Sequence, residues 1–360
     1  MSWKIPHPVV ASSPLSIDQL HMISQKLSVT RDLAPDLWRE FLHNNPQASI
    51  FHTPEMFEVF ARARGHEPGL WVALAPDGCP AALFAPVQIA LLGGPAGALV
   101  SRAVAFGGVA CIGGAMGSAA LDSVLCAYEQ ARSASVLFTE LRNAAPTGIL
   151  QPTLEAHGYQ HEGHLNFLID LAQSETALWG NIRSSARRNV RKAETMDVVV
   201  DEVTEPDSLG PVYDVLRVVY KRLQVPLPDI SLFVSALEVL HPAGMMRVFV
   251  ARVDDKPIGA LTLLIHQGVM TYWYTGTLRE FSAHRPADLL VWHALKLGAA
   301  SGCRVFDFGG GGRPDEEYGV RDFKAKFGGE LVDLGRNTCI HAPRRFRLSQ
   351  TGYQIMRRFL

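Results

Sequence analysis

Residues 305–329 read VFDFGGGGRPDEEYGVRDFKAKFGG and bring three kinds of chemistry into one supersecondary unit. A short apolar run carries a single acid, Asp307, into the glycines at 309–312. A charged loop follows, and then Lys324 stands between Phe323 and Phe327. Glycine lets backbone approach a ligand closely. An ammonium held among aromatic rings is desolvated, so it acts strongly on negative charge that develops beside it. A carboxylate nearby takes or relays a proton. The same residues also satisfy a plainer reading: a strand, a loop and the core-packed start of a helix, with Asp307 capping the glycine turn.

A second group is basic. Arg183, Arg187 and Arg191 recur at i, i+4 and i+8 and so form one stripe along a helix, with Arg188 and Lys192 beside it and Glu194 as the segment's acid. The stripe is either a solvated face or an anion clamp, because guanidinium groups hold phosphate in a bidentate manner. Arg344, Arg345, Arg347, Arg357 and Arg358 make the tail basic too. That set reads mainly as solvated, with contact to tRNA or an acidic partner as the other reading. The stretch MTYWYTGT at 270–277 alternates as a strand, placing Tyr272 and Tyr274 on one face and Trp273 on the other. One face belongs to the core, and the other is a candidate lining for an acceptor pocket. Tyr220 ends a helix just before a loop stiffened by Pro226 and Pro228.

Several chemistries find no footing. The 13 histidines never occur as H-E-x-x-H or in another local metal spacing, so no metal is expected, and His284 and His293 read as structural. There is no G-x-S-x-G elbow, no Walker A motif and no G-x-G-x-x-G between strand and helix. The 5 cysteines are scattered and never C-x-x-C, which argues against disulfides and zinc clusters and for a reducing compartment. Cys303 has apolar neighbours and reads as a buried thiol. The net charge of −1 provides no global attraction to nucleic acid or membrane, so any anion site must be local. No basic head precedes an apolar run at the start, and no run of about 18 apolar residues occurs, so a cytoplasmic protein without an integral membrane segment is expected.

The elements that must position these residues come next. A chain of 360 residues, 48% apolar and 19% charged, is a soluble globular protein long enough for two domains. Residues 72–83 and 250–261 each read as an apolar strand, an Asp-centred turn and a second strand, the signature of a β-hairpin. A helical stretch and one more apolar strand follow each hairpin: 121–134 then 136–141, and 287–301 then 304–308. This order, occurring twice, suggests a duplicated α+β domain. Helices are expected over 35–44, 54–65, 174–195, 207–223 and 229–241, and strands over 165–171 and 198–203. The Gly- and Ala-rich stretch 93–117 reads as loop.

Taken in order, these segments resemble the Fem-type aminoacyltransferases and their relatives in the GNAT superfamily, including the CelD/BcsL-like acetyltransferases. RRNVRKA at 187–193 is similar to the family's basic helix, KPIGA at 256–260 to the strand after the hairpin turn, and WYTG at 273–276 to its next strand. Residues 287–302, with Leu290, Trp292 and Ala294, resemble the helix after it. FDFGG at 306–310 and GVRDFKAKFG at 319–328 resemble the most diagnostic pair, a strand ending in Asp-Phe-Gly and a Phe-Lys loop. The likeness runs from about residue 165 to about residue 340; in the first half, FHTPE at 51–55 and the hairpin share it.

The resemblance implies an α+β fold of two tandem GNAT-like domains, each a mixed central sheet flanked by helices. They would be a degenerate N-terminal domain at 1–164 and a transferase domain at 165–342, with a basic helix at 343–360. It implies transfer of an aminoacyl or acyl group from an activated donor to an amine, with Lys324 at the acyl-transfer centre. The family's donor is aminoacyl-tRNA and its acceptor a nucleotide- or lipid-linked cell-envelope precursor, so the partners carry phosphate and no resident cofactor is needed. The long coiled-coil arm of some members is missing here. The acceptor amine here would be such a cell-envelope precursor or a small metabolite; the alternative is an acyl-CoA-dependent N-acetyltransferase acting on an exopolysaccharide or sugar amine. GNAT enzymes hold the CoA pyrophosphate on backbone amides of an R/Q-x-x-G-x-G/A turn. The matching HRPAD at 284–288 has no glycine, and Pro286 removes a donor, leaving Arg285 as a partial substitute. In the transferase reading Lys324 stabilises the tetrahedral oxyanion and Asp307 accepts or relays the amine proton. Arg187, Arg188 and Arg191 hold phosphates, while Trp273 and Tyr274, with Tyr220, Phe323 and Arg285, line the substrates. The remaining reading is a non-catalytic module of the same fold that binds an anionic glycan or nucleotide.

Overall fold

The computed structural model describes residues 27–90 and 101–348. The chain divides into two units, Met1–Gly163 with Leu334–Leu360, and His164–Asp333.

In the first unit β1 (Ser28–Thr30) leads to α1 (Pro35–His43) and α2 (Pro54–Arg62). Both helices open on proline, which is tolerated there because the first-turn amide has no intrahelical partner. Thr53 caps α2 by accepting from the Met56 amide. Then come β2 (His66–Pro68), β3 (Trp71–Leu74), β4 (Pro80–Phe84), β5 (Val87–Ala90), β6 (Ser101–Gly107), β7 (Ala110–Cys111), α3 (Gly114–Ala131), β8 (Val136–Asn143), α4 (Gln151–Ala156) and β9 (Gln160–Glu162). The expected hairpin is β3–β4, registered from Trp71↔Phe84. The stretch 93–117, read as loop, instead contains β6, β7 and the first turn of α3; its residues 93–100 lie outside the described residues. Alanine and glycine carry little strand preference, so the pattern was silent. Their small size is what lets α3 lie close on the sheet, where Ala103, Ala105, Ala119 and Ala120 are buried.

The second unit runs β10 (Leu165–Asp170), α5 (Glu175–Asn181), α6 (Ser184–Thr195), β11 (Val199–Glu202), α7 (Gly210–Leu223), α8 (Ile230–Leu240), β12 (Met246–Val253), β13 (Lys256–His266), β14 (Val269–Thr277), α9 (Pro286–Ala300), β15 (Val305–Gly310), α10 (Gly319–Lys324) and β16 (Glu330–Asp333). Its seven strands form one sheet in the order β11-β12-β13-β14-β15-β10-β16. Gly259 and Gly276 sit where helices pack closely on the sheet: a Cβ at Gly259 would lie 3.1 Å from Leu290 of α9, and one at Gly276 3.0 Å from Val219 of α7. The helix expected over 174–195 is two helices. Ile182 and Arg183 are extended between them (ψ 133° and 144°), which lets Ile182 bury its side chain. The glycines at 309–312 are not a turn throughout, since β15 runs through Gly309 and Gly310.

The last strand, β17 (Arg336–Ile340), returns to the first unit, between β8 and β9. The sheets there are β1-β3-β4-β7 and β2-β5-β6-β8-β17-β9. The second unit therefore ends at Asp333, not at residue 342. No Pro- or Ser-rich linker marks the crossing, only a turn at Gly335 with φ 67°. Of the basic tail, 343–348 are helical, and Arg345 donates to the Ala134 carbonyl at 2.8 Å; Arg357 and Arg358 lie outside the described residues.

Both units are α+β with a mixed sheet, and both contain one parallel pair joined through a helix: β6–α3–β8 and β14–α9–β15. Gly329, which sets the entry of β16 beside β10, has φ 94°, and a Cβ there would meet the Leu168 carbonyl at 2.7 Å. Gly329→Ala is expected to lower stability by about 2–4 kcal/mol. Gly180→Ala, in α5 with open space around it, is expected to be neutral or stabilising by up to about 1 kcal/mol. Urea unfolding of the two variants checks the contrast.

Candidate functional site

The two parallel pairs differ in one respect. In the first unit the ladder is registered from Ser101↔Val136 to Gly107↔Asn143, along the full strand. In the second it holds only for Val269↔Val305, Met270↔Phe306 and Thr271↔Asp307. Beyond Asp307, β14 runs on to Thr277 and β15 to Gly310 without pairing to each other. Asp307 is thus the last rung before the strands part.

Local devices create this fork. The β13–β14 register shifts between Thr262 and Leu263, which face Tyr274 and Tyr272, so Trp273 is the extra residue of a β-bulge. The buried Thr262 hydroxyl holds the bulge by accepting from the Tyr274 amide at 2.9 Å and donating to the Tyr274 carbonyl at 3.2 Å. The bulge shifts the side-chain alternation. Trp273 does not oppose Tyr274, as strict alternation predicts. Their rings touch at 4.9 Å, and both meet Phe233 of α8. Tyr272 faces the core instead, against Phe306 and Phe308, and donates to the Thr275 hydroxyl at 2.9 Å.

On the β15 side of the fork, Asp307 accepts from the Gly309 amide at 2.8 Å and from Asn166 Nδ2 at 3.2 Å. Desolvation pushes its carboxyl above the ordinary range, against the pull of the Gly309 amide, Lys324 and Asn166. α10 brings Lys324 to the same stretch. Its side chain is 6% exposed, Nζ donates to the Gly310 carbonyl at 2.9 Å, and Nζ lies 5.2 Å from the centre of the Phe308 ring. Burial lowers its pKa to about 8, opposed by the Asp307 charge. A Cβ at Gly309 would stand 3.6 Å from both Lys324 Nζ and the Tyr272 carbonyl, so a side chain there would crowd the ammonium. Arg321 donates to the Gly311 carbonyl at 2.8 Å and to the Arg313 carbonyl, so α10 grips the glycine run by two cations.

The structure brings Lys324 and Asp307 together and scatters other candidates. Phe323 is half-buried and packs on Phe308 and Phe327 at the edge of the core. Tyr220 packs against Tyr274 with its ring tilted by 43°, and burial, partly offset by a hydrogen bond to the Thr275 backbone, pushes its phenol up to about 12. Arg187 donates to the carbonyls of Trp179 and Gly180 at 3.2 Å, capping the C-terminus of α5. Arg191 lies over the Trp179 ring at 5.6 Å, and Arg188 and Arg285 are exposed. The α6 stripe is therefore divided: Arg187 serves the fold, and Arg188 and Arg191 face outward.

Two residues went unnoticed in the sequence. Asn166 sits next to Phe167 in a strand without any local signal. Asp288, two residues after the helix-opening Pro286, carried a helix-start signal, but its burial (5% exposed) depended on α6. Its carboxyl accepts from Asn189 Nδ2 at 3.2 Å and from its own backbone amide. Burial raises its pKa, with Asn189, Lys326 and Arg285 acting against that. The N-terminus of α9 is thus occupied by a side chain of the protein.

Residues 180–324 match the family model of the acetyltransferase (GNAT) domain. Among solved structures, that of FemX matches at a TM-score of 0.67 and 14% identity, over 89% of this chain and 99% of that one. A tandem GNAT protein from the clavulanic acid biosynthesis pathway matches at 0.56 and 13%, over 87% and 98%. The C-terminal domain of a putative lysylphosphatidylglycerol synthetase from Agrobacterium fabrum matches at 0.53 and 15%, over 88% and 95%. Identities this low establish a shared fold. No curated protein sequence matches.

The Lys324 pKa, about 8, lies below the ordinary lysine value of 10.5. Between those values the unfolded chain binds a proton that the folded protein has released, so this group makes stability rise with pH through that window. The full rise is about 3 kcal/mol. Lys324→Met removes it, and urea midpoints taken across the window are expected to climb less steeply than in the wild type; an unchanged slope would mean that the ammonium is solvated.

Proposed function

We propose that this acyltransferase, which carries a GNAT domain and shares the fold of FemX, transfers an aminoacyl group from an ester-activated donor, aminoacyl-tRNA by class, to an amine acceptor. The observation that carries this reading is the buried ammonium of Lys324 beside Asp307, where the parallel ladder ends. Amide formation from an ester needs a neutral amine and a positive group at the carbonyl oxygen. With a pKa of about 8, Lys324 keeps its proton at pH 7 in most molecules. One of its three N–H groups is used by Gly310, which leaves donors for a developing oxyanion in a site of low dielectric. Asp307, more basic than an ordinary carboxylate because it is desolvated, takes the proton from the attacking amine. The N–C bond forms, the ester C–O bond breaks, and the proton passes to the departing hydroxyl.

The start of α9 favours the ester donor over acyl-CoA. A pyrophosphate would need free amides at that helix N-terminus. Pro286 has none, and the Asp288 carboxyl already occupies its own amide and adds acid where the phosphate charge would fall. The names of FemX and of the lysylphosphatidylglycerol synthetase are consistent with aminoacyl transfer. An acceptor carrying phosphate, such as a cell-envelope precursor, fits the outward guanidinium groups of Arg188 and Arg191, with Trp273 and Tyr274 beside the fork as its apolar lining.

A donor screen with purified protein, charged tRNAs against acyl-CoAs, with mass detection of the amide product, tests the reading. Aminoacyl transfer from tRNA and none from CoA esters is expected. Lys324→Ala is expected to lower turnover by about 10²–10³ while the fold persists by circular dichroism. Near-wild-type turnover in that variant sinks the oxyanion role, and efficient use of acyl-CoA sinks the donor assignment.

A further inference from the structure

α3 presents Asp122, Cys126 and Glu129 on one stripe, because positions three, four and seven apart share a helix face. His157, the residue closing α4, lays its ring across that stripe. Its Nδ1 meets Glu129 Oε1 at 3.1 Å, and its Nε2 meets Asp122 Oδ1 at 2.9 Å. An Asp122 oxygen, Cys126 Sγ and a His157 ring nitrogen all lie within 4.8 Å of one another. We propose that Asp122, Cys126 and His157 hold a divalent transition metal, Zn²⁺ by the chemistry of the donor set, with Glu129 as a positioning residue that orients the imidazole through Nδ1.

The argument rests on donors and geometry together. One sulfur, one nitrogen and one oxygen suit zinc and its borderline neighbours; Mg²⁺ and Ca²⁺ prefer all-oxygen shells. Tetrahedral Zn²⁺ with bonds of about 2.0–2.3 Å sets its ligand atoms about 3.3–3.8 Å apart, which small side-chain movements reach from the separation seen. A carboxylate on the far nitrogen of a metal-binding histidine fixes both tautomer and ring plane, and Glu129 stands there. Binding releases the Cys126 thiol proton and any proton held by His157 Nε2 to solvent, so charge balances without a redox partner. These residues belong to the first unit, whereas Asp307 and Lys324 belong to the second, and the transfer chemistry proposed above uses none of them. Its effect is to tie α4, only 6 residues long, to the 18-residue α3. Local spacing failed to show the set because its members come from two helices, at 122 and 126 and at 157.

The test uses the full chain, stripped with a chelator and titrated with Co²⁺ and then Zn²⁺. One Co²⁺ per chain with a thiolate-to-cobalt charge-transfer band is expected, displaced by one Zn²⁺, along with a higher melting temperature in Zn²⁺. Cys126→Ser and, separately, His157→Gln are expected to abolish the band and weaken Zn²⁺ binding by about tenfold or more. Cys79→Ser, at the other exposed cysteine, is expected to change neither. If His157→Gln fails to fold, Cys126→Ser decides alone, since that side chain is at the surface. Absence of a thiolate band in folded protein, or Zn²⁺ affinity unchanged by Cys126→Ser, overturns the site.

Discussion

The early end of the parallel ladder between β14 and β15 is the constraint on which the site depends. Parallel strands normally satisfy each other's backbone groups along their shared length. Here pairing stops at Thr271↔Asp307. The bulge at Trp273, held by Thr262, redirects β14, while on its other edge β15 stays paired with β10 from Val305 to Gly310. Backbone groups of the glycine run then find side chains: Asp307 serves the Gly309 amide and Lys324 the Gly310 carbonyl. The groups with catalytic potential are therefore the same groups that satisfy the opened backbone.

The two copies of the fold make the point by contrast. The first unit repeats the hairpin, the helix and the parallel strand, yet its ladder stays registered to Gly107↔Asn143. Apart from one irregularity between Ser101 and Ala103, that pair stays closed to its end, and among the described residues no buried lysine stands beside it. A fold used twice thus carries the proposed transfer chemistry in one unit only, which agrees with the general rule that function lives in sites and not in folds.

Electrostatics at the fork is a balance of two desolvated groups. Burial raises the Asp307 carboxyl and lowers the Lys324 ammonium, and each charge pulls the other back toward its ionised form. Neither is held at its ordinary value, which is the condition for proton movement and charge stabilisation near neutral pH. The aromatic wall of Phe308, Phe323 and Phe327 provides the low dielectric. At the start of α9 burial acts on Asp288 in the same direction as on Asp307, but there it places an acid over the amides that a phosphate would need.

The sequence by itself determined the hairpins, the duplicated order of elements and the pairing of Asp307 with Lys324 in one supersecondary unit. These follow from local patterns: period-two runs, Asp-centred turns, and glycines beside aromatics. It did not show the break at Ile182–Arg183, the bulge that brings Trp273 against Tyr274, the capping duty of Arg187, or the return of β17 to the first unit. Each of those is decided by a partner on another element: the α5 carbonyls that Arg187 reaches, the hydroxyl of Thr262 on β13, the Lys326 carbonyl that takes the Arg183 amide, the edge of β8 that β17 completes. The fork belongs to the same class. Residues 305–310 have one spelling whether their ladder closes or opens, and only the course of β14 after its bulge at Trp273 settled where the pairing with β15 would stop.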